Sequence, residues 1–467
     1  MGADKLRFPC TTPDLPLATL RRMTIPPTAL KTFDVVVVGG GIAGLTVAYR
    51  LGNQNVLLIE KETQCGGRTL STNMGSYVFN QGAQMIPGGE TNVAKLADEL
   101  GVIRTLIDKT KTSTYINGKL VAASSDFKYL LGMPIPFVEK IKMALRTVRM
   151  RSRYKGIVDR APRSDDRTFR ELSERTLIEL LNIKHPDVKG LWDSFSMASS
   201  TLRSDEVAAF QPVNTFLHHA ADEFYVEGGT VQITRALVDQ TDARVETGAV
   251  VTGVASTDTG VSIKYEQNGA SHQVQARQCV MAVPAPLALR VLHDLPEKKR
   301  NALAQCKYGA MSSAAFLVDK PSEYFFGEGV WRVPVVGKTT IGISDPTFTF
   351  TEALKQEDGR GLIRLYAGNG GSQMLQKMSD DEALDVFEED LFDIFPSARN
   401  SVLARGIKHW PYAICPWRVG RLDLIDDIRA PHDNIHYCGD YTENSGLESA
   451  VLSAQRVVSE LANTPYR

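Results

Sequence analysis

The sequence predicts an α/β fold in which a domain built on a parallel sheet is interleaved with a second, α+β domain. Three observations point there. Phe33-Asp34-Val35-Val36-Val37-Val38 is an apolar, β-branched run that reads as a strand buried on both faces, and Gly39-Gly40-Gly41-Ile42-Ala43-Gly44 follows it directly. Asn55 to Ile59 reads as a second strand, and it ends in an acid, Glu60. The chain has 467 residues, too many for one ordinary core, and strand-like runs return after long intervals, from Arg244 onward and again at Asn434 to Asp440.

Each part of the opening unit has a physical role. Gly39, Gly41 and Gly44 fill the three glycine positions of a dinucleotide fingerprint, where they permit a tight turn and close approach of backbone to a pyrophosphate. Leu45 to Leu51 reads as a helix, and its start supplies unpaired N–H groups and a field that favours negative charge. Glu60, 21 residues after Gly39, suits the two hydroxyls of an adenosine ribose. A glycine-rich turn alone is weak evidence. With strand, helix and acid all in place it reads as a Rossmann-type dinucleotide site.

Composition excludes several function classes. A net charge of -1 gives no general basis for binding nucleic acid. Cys10, Cys65, Cys279, Cys306, Cys415 and Cys438 are scattered, lack metal-ligand spacing and suit a reducing compartment. The histidines are not spaced as a metal cluster, and no metal is expected. No apolar export segment opens the sequence, and apolar runs are interrupted before membrane-spanning length; no transmembrane segment and a cytoplasmic location are expected. Residues 1–30, with Pro9, Pro13, Pro16, Pro26 and Pro27, read as an extended surface arm.

After Glu60, Cys65-Gly66-Gly67-Arg68-Thr69 sets two glycines before an arginine, which brings backbone and positive charge toward a phosphate; the alternative is a surface turn with a solvated arginine. Asn80-Gln81-Gly82-Ala83-Gln84 supplies small residues against a flat ring, with Gln81 and Gln84 as hydrogen-bonding partners for its edge or as turn residues.

At this point the sequence resembles the flavin-containing amine oxidase and protoporphyrinogen oxidase superfamily, which includes carotenoid-type desaturases. The matching stretches are VVVVGGGIAGLTVAYRL, EKETQCGGRT, FNQGAQ, GGTVQITRAL, ETGAVVTGV, VMAVPAP and YCGDYTENSGLESAVLSAQRV, and together they frame nearly all of residues 33–467. The resemblance implies FAD as cofactor and a Rossmann-type FAD-binding domain with an interleaved α+β substrate domain. It implies a cofactor-binding set of Gly39, Gly41, Ile42, Ala43, Gly44, Glu60, Lys61, Gly67, Arg68, Gly82, Ala83, Gln84, Val250, Gly439, Asp440 and Leu447, with Val250 meeting adenine through its backbone. Glu60 would suit NAD equally, but the closing Gly439-Asp440 segment matches the FAD superfamily. A small-molecule substrate is expected, and a homodimer is left open.

Further along, residues 89–101 read as a helix and 111–227 as a largely helical region. Within it, Phe137 to Lys155 carries seven lysines and arginines, with Ile141, Ala144, Leu145 and Val148 at helical spacing; a packed helix with a solvated basic face is expected. Val231 to Val238 reads as a helix. Arg244 to Val254, Val261 to Tyr265 and Cys279 to Val283 read as strands, the last stopped by Pro284. Met311 to Val318 reads as a strand. Ser379-Asp380-Asp381-Glu382 has the form of a capping box before the apolar face of Leu384, Phe387 and Leu391, with Glu388, Glu389, Asp390 and Asp393 on a solvated side. The FAD-binding domain is expected to comprise 31–110, 228–295 and 405–467, and the substrate domain 111–227 and 296–404. Asp440 is expected to act through its backbone or toward the ribityl chain, because its carboxylate would repel a pyrophosphate.

The catalytic candidates are Trp410, Tyr412 and Ser313. Trp410, Tyr412 and Trp417 lie in a segment that passes the flavin ring in relatives, and an aromatic wall there would orient a neutral amine and stabilise an oxidised imine. Many amine oxidases of the family keep a lysine on a substrate-domain strand. The best register puts Ser313 at that position, and Leu447 stands where those relatives carry an aromatic. The expected reaction is oxidation of a C–N bond by hydride transfer to flavin N5. The alternatives are C–C desaturation or porphyrinogen oxidation of an apolar substrate, a redox-neutral isomerase or cyclase, and a non-enzymatic FAD scaffold.

Overall fold

The computed structural model describes residues 31–107, 111–122, 126–158, 160–218, 223–349 and 359–463; the expected arm over 1–30 lies outside the described residues. The valine run forms strand β1 (Lys31–Val38), followed by helix α1 (Ile42–Arg50) and strand β2 (Val56–Ile59), parallel to β1. Alternate valines explain why the run is apolar throughout. Val35 and Val37 enter the core beneath α1, and Val36 and Val38 enter a separate core on the opposite face. A hairpin of β3 (Ser71–Met74) and β4 (Tyr77–Asn80) follows.

Among residues 126–218 the chain is mainly helical. Helix α2 (Phe137–Tyr154) corrects the sequence expectation: Lys140, Met150 and Tyr154 are buried, while Phe137, Val138, Ile141, Leu145 and Val148 are exposed. Its roll is set by polar tethers. Lys140 turns inward to donate Nζ to the Leu131 carbonyl, and Arg153 and Tyr154 both bond Glu171. Met150 and Tyr154 thereby join the helical core, and the apolar stripe faces outward.

The chain then returns to the first sheet through β5 (Glu223–Val226), helix α3 (Val231–Gln240), β6 (Arg244–Glu246), β7 (Ala249–Thr257), β8 (Gly260–Gln267) and β9 (Ala270–Met281). The single strand expected over Arg244 to Val254 is two, because Gly248 adopts φ +62° and turns the chain between them. The sheet order is β6-β2-β1-β9-β8-β7; β6, β2, β1 and β9 run parallel, and β8 pairs antiparallel with both neighbours.

A second sheet carries β10 (Gly309–Val318), β11 (Val330–Pro334), β12 (Gly342–Ser344), β13 (Gly361–Gly368) and, after helix α4 (Asp380–Ile394), β14 (Val402–Ile414). Its order is β14-β10-β13-β12-β11, with Lys111–Thr112 at the edge. Ile343, Ile363, Leu365 and Ala367 point into a core with Leu384, Phe387 and Leu391 of α4. The Ser379–Glu382 capping box forms. Asp390, read as solvated, is instead buried and accepts the Thr340 N–H at 2.8 Å. Strand β15 (Ile435–Tyr437) then joins β9 in parallel, and helix α5 (Leu447–Asn463) closes over α1. Among the described residues, no helix is long and apolar enough to cross a membrane, and no group of three His, Cys, Asp or Glu side chains could hold a metal.

Candidate cofactor and active site

The turn between β1 and α1 uses its glycines differently. At Gly39, φ is +111° and an added Cβ would lie 2.8 Å from the Ala282 carbonyl oxygen. At Gly44 it would lie 2.1 Å from the Gly39 oxygen. At Gly41 it would meet nothing within 4 Å. Two glycines therefore serve the protein's own packing, while Gly41 borders open space beside the N–H groups of α1's first turn, where Ile42 and Ala43 sit. Glu60 is buried, its Oε2 accepting the Gly40 N–H at 2.6 Å and its Oε1 that of Glu62 at 2.9 Å. The carboxylate is fixed, with lone pairs to spare. Val250 lies next to it, since the Ala249 N–H bonds the Glu60 carbonyl at 2.9 Å. Lys61 turns outward to Glu62 in solvent. An open backbone cradle and a fixed acid are the donor set that a pyrophosphate and an adenosine ribose need, so FAD fits.

A second layer closes on this turn. The Gly66 N–H bonds the Gly40 carbonyl at 2.8 Å, and an added Cβ at Gly67 would touch the Gly41 Cα at 3.4 Å. Arg68 differs from its sequence reading: its guanidinium grips Asp440 bidentately at 2.8 and 2.9 Å and donates to the Ala413 carbonyl at 2.8 Å, so its charge is balanced within the protein. Burial works against that charge, but Asp440 overrides it and raises the pKa. Tyr308, which sequence reasoning missed, donates to Asp440 at 3.3 Å; burial first and then Asp440 hold its phenol well above the ordinary range. The Gly439 N–H is tied to Ser453 Oγ at 2.9 Å. Gly82 packs where a Cβ would lie 2.1 Å from the Arg68 carbonyl, and the Ala83 N–H bonds that carbonyl at 2.9 Å. Gln84 donates to the Asn80 and Gly82 carbonyls, and its buried Oε1 has no partner among the described residues. Leu447 begins α5, half-buried.

The catalytic candidates separate. Trp410 donates Nε1 to the Gln81 carbonyl at 2.8 Å, which seats its ring against the Asn80–Gln84 loop, and Lys408 Nζ lies 5.0 Å from the ring centre. Tyr412 packs edge-on to Tyr308 and accepts from Arg290. Ser313 is fully buried and accepts from Arg364 Nε at 2.7 Å. Trp417 corrects its reading as pocket wall: it is 1% exposed, stacks edge-on with Phe210 at 4.8 Å and bonds Ser173 in the helical core. Arg364 and Tyr308 carried no motif; a lone arginine in a strand, or a lone tyrosine just before one, has no local signal.

A family model described as flavin containing amine oxidoreductase matches residues 42–462. The chain belongs to that family. A probable flavin-containing monoamine oxidase A from Dictyostelium discoideum is 23% identical, covering 92% of this chain and 97% of its own. A chloroplastic protoporphyrinogen oxidase 1 from Arabidopsis thaliana is 21% identical, covering 92% and 88%. Among solved structures, a putrescine oxidase bound to putrescine superimposes with a TM-score of 0.75 at 18% identity, covering 93% of this chain and 99% of that one. As a member of the amine oxidoreductase family, the protein is an FAD-dependent oxidoreductase with a Rossmann-like FAD-binding sheet and a separate substrate-binding region.

Proposed function

We propose that the enzyme oxidises a C–N bond of a small or medium organic donor by hydride transfer to flavin N5. The observation that carries this reading is the Trp410 tether to Gln81, an aromatic ring of the second sheet pinned to a loop of the cofactor side. FAD supplies the two-electron acceptor when bound. Trp410 and Tyr412 would orient a neutral amine and stabilise positive charge on the oxidised imine. Desolvation between the ring and the sheet selects the neutral amine, so no side chain has to act as general base. The curated relatives support the same range of chemistry, from amine oxidation to porphyrinogen oxidation.

C–C desaturation, porphyrinogen-type oxidation or redox-neutral rearrangement of an apolar donor is the second reading. Ser313 in the register of the family's lysine, and Leu447 after Ser445-Gly446, favour it. The test is anaerobic mixing of the FAD-loaded enzyme with panels of amines, amino acids and apolar polycyclic donors while flavin bleaching is followed. An imine or its carbonyl hydrolysis product selects C–N oxidation. A new carbon–carbon double bond with nitrogen retained selects desaturation. No bleaching by any donor overturns both redox readings.

A further inference from the structure

The second sheet has two unlike faces. Ile343, Ile363 and Leu365 fill one with hydrocarbon. The other, the face that carries Trp410 and Ser313, presents Arg364, Tyr366 and Ser344. Cross-strand register sets Arg332, Ser344 and Arg364 in one row across β11, β12 and β13. Two cations thus flank a serine on a largely buried surface.

Arg364 is 5% exposed, and among the described residues its hydrogen bonding ends with Nε on Ser313. Its guanidinium lies 4.9 Å from the Tyr366 ring centre, and no carboxylate among the described residues pairs with it. Ser344 is equally buried and its Oγ has no partner among the described residues. Arg332 donates Nε to Thr112 Oγ1 at 3.2 Å and likewise has no ion pair among the described residues. Tyr225 borders Asp345 and Glu223 as well as Arg364 and Arg332, and Asp345 accepts from Thr347. Burial pulls the Arg364 pKa down to about 10, with Tyr366 and Tyr225 sustaining what charge it keeps. A buried guanidinium with two free donors and no anion is costly unless a ligand supplies the anion. Its planar fork matches a carboxylate.

We propose that Arg364, with Ser344 and Arg332 beside it, is a subsite for the carboxylate of the donor molecule. The proposal rests on the reading that the donor lies between this sheet face and the flavin, and it narrows that donor to one bearing an acid group, such as an amino acid.

The test compares phenylacetate with phenylacetamide, a neutral near-isostere, binding to the FAD-loaded enzyme by calorimetry. The acid should bind at least about tenfold more tightly than the amide. Arg364→Gln should abolish that preference while leaving amide affinity and the flavin spectrum unchanged. Arg364→Lys, which keeps the charge without the fork, should restore part of it. Equal affinity for the two probes in the wild type, or no binding of phenylacetate at millimolar concentration, overturns the subsite even if no variant folds; so does a preference that survives Arg364→Gln. The two readings fail separately. Bleaching by neutral amines as readily as by amino acids rejects the subsite and keeps C–N oxidation. Selective phenylacetate binding with no bleaching by any amine keeps the subsite and rejects C–N oxidation.

Discussion

Where β1 turns into α1, a methyl group added at Gly44 in the helix's first turn would lie 2.1 Å from the Gly39 carbonyl oxygen. On the inner face of the second sheet, Ser313 and Arg364 meet side chain to side chain, and the Ser344 hydroxyl has no partner among the described residues. The first region sets backbone against backbone at Gly39 and Gly44, so one residue type fits there. The second is made of side chains projecting from neighbouring strands, so many residue types fit and polar capacity is left over. The difference suits their tasks. A cofactor common to a whole family is held by geometry that cannot vary, whereas a substrate is selected by groups that can.

The largest effect should come where backbone meets backbone. Gly44→Ala forces a contact that neither carbonyl nor helix can relieve, and the apoprotein should lose about 3 kcal/mol or more of stability. Urea unfolding of the apoprotein measures it. A variant as stable as the wild type would show that the turn yields, and the contrast with the second sheet would collapse.

Ser313→Ala should do less. It removes the acceptor of Arg364 Nε and leaves a buried donor unpaired, a cost of about 1–2 kcal/mol in the same urea assay. A loss as large as that of Gly44→Ala would mean that this face is as rigidly specified as the turn, and no loss would mean that the guanidinium does not depend on Ser313.

These regions were unequally legible for the same physical reason. The fingerprint and Glu60 fall within one local strand–turn–helix–strand unit, and Ser379–Glu382 declares its helix start within four residues, so spacing alone exposes them. The Arg364–Ser313 bond joins positions 51 apart on neighbouring strands, and Arg68 finds Asp440 across 372 residues; only the folded chain brings these groups together. Trp410 and Trp417 look equivalent in sequence, yet Trp410 belongs to β14 and Trp417 lies beyond its end at Ile414, where side-chain alternation no longer predicts direction. The roll of α2 was hidden too, because Glu171 and the Leu131 carbonyl, both outside the helix, decide which face is packed.

The smallest effect on folding should come from Gly41→Ala, and it sharpens the contrast within the turn itself. Gly41 has φ −79° and ψ 175°, an extended conformation open to alanine, and the new methyl meets no protein atom within 4 Å. Alanine is a slightly poorer residue than glycine at a helix start, but it also restricts the unfolded chain, and these terms oppose each other. Apoprotein stability should therefore stay within about 0.5 kcal/mol of wild type. The methyl nevertheless enters the cradle where the pyrophosphate would approach, so FAD affinity should fall by about tenfold or more, equivalent to about 1.4 kcal/mol. Titration of the apoprotein with FAD, followed by flavin fluorescence, reads this separately from urea unfolding. Gly44→Ala should fail in both assays, but Gly41→Ala only in the titration. If Gly41→Ala binds FAD as the wild type does, the open space over Gly41 is not the pyrophosphate's path, and the cofactor geometry assigned to this turn is wrong.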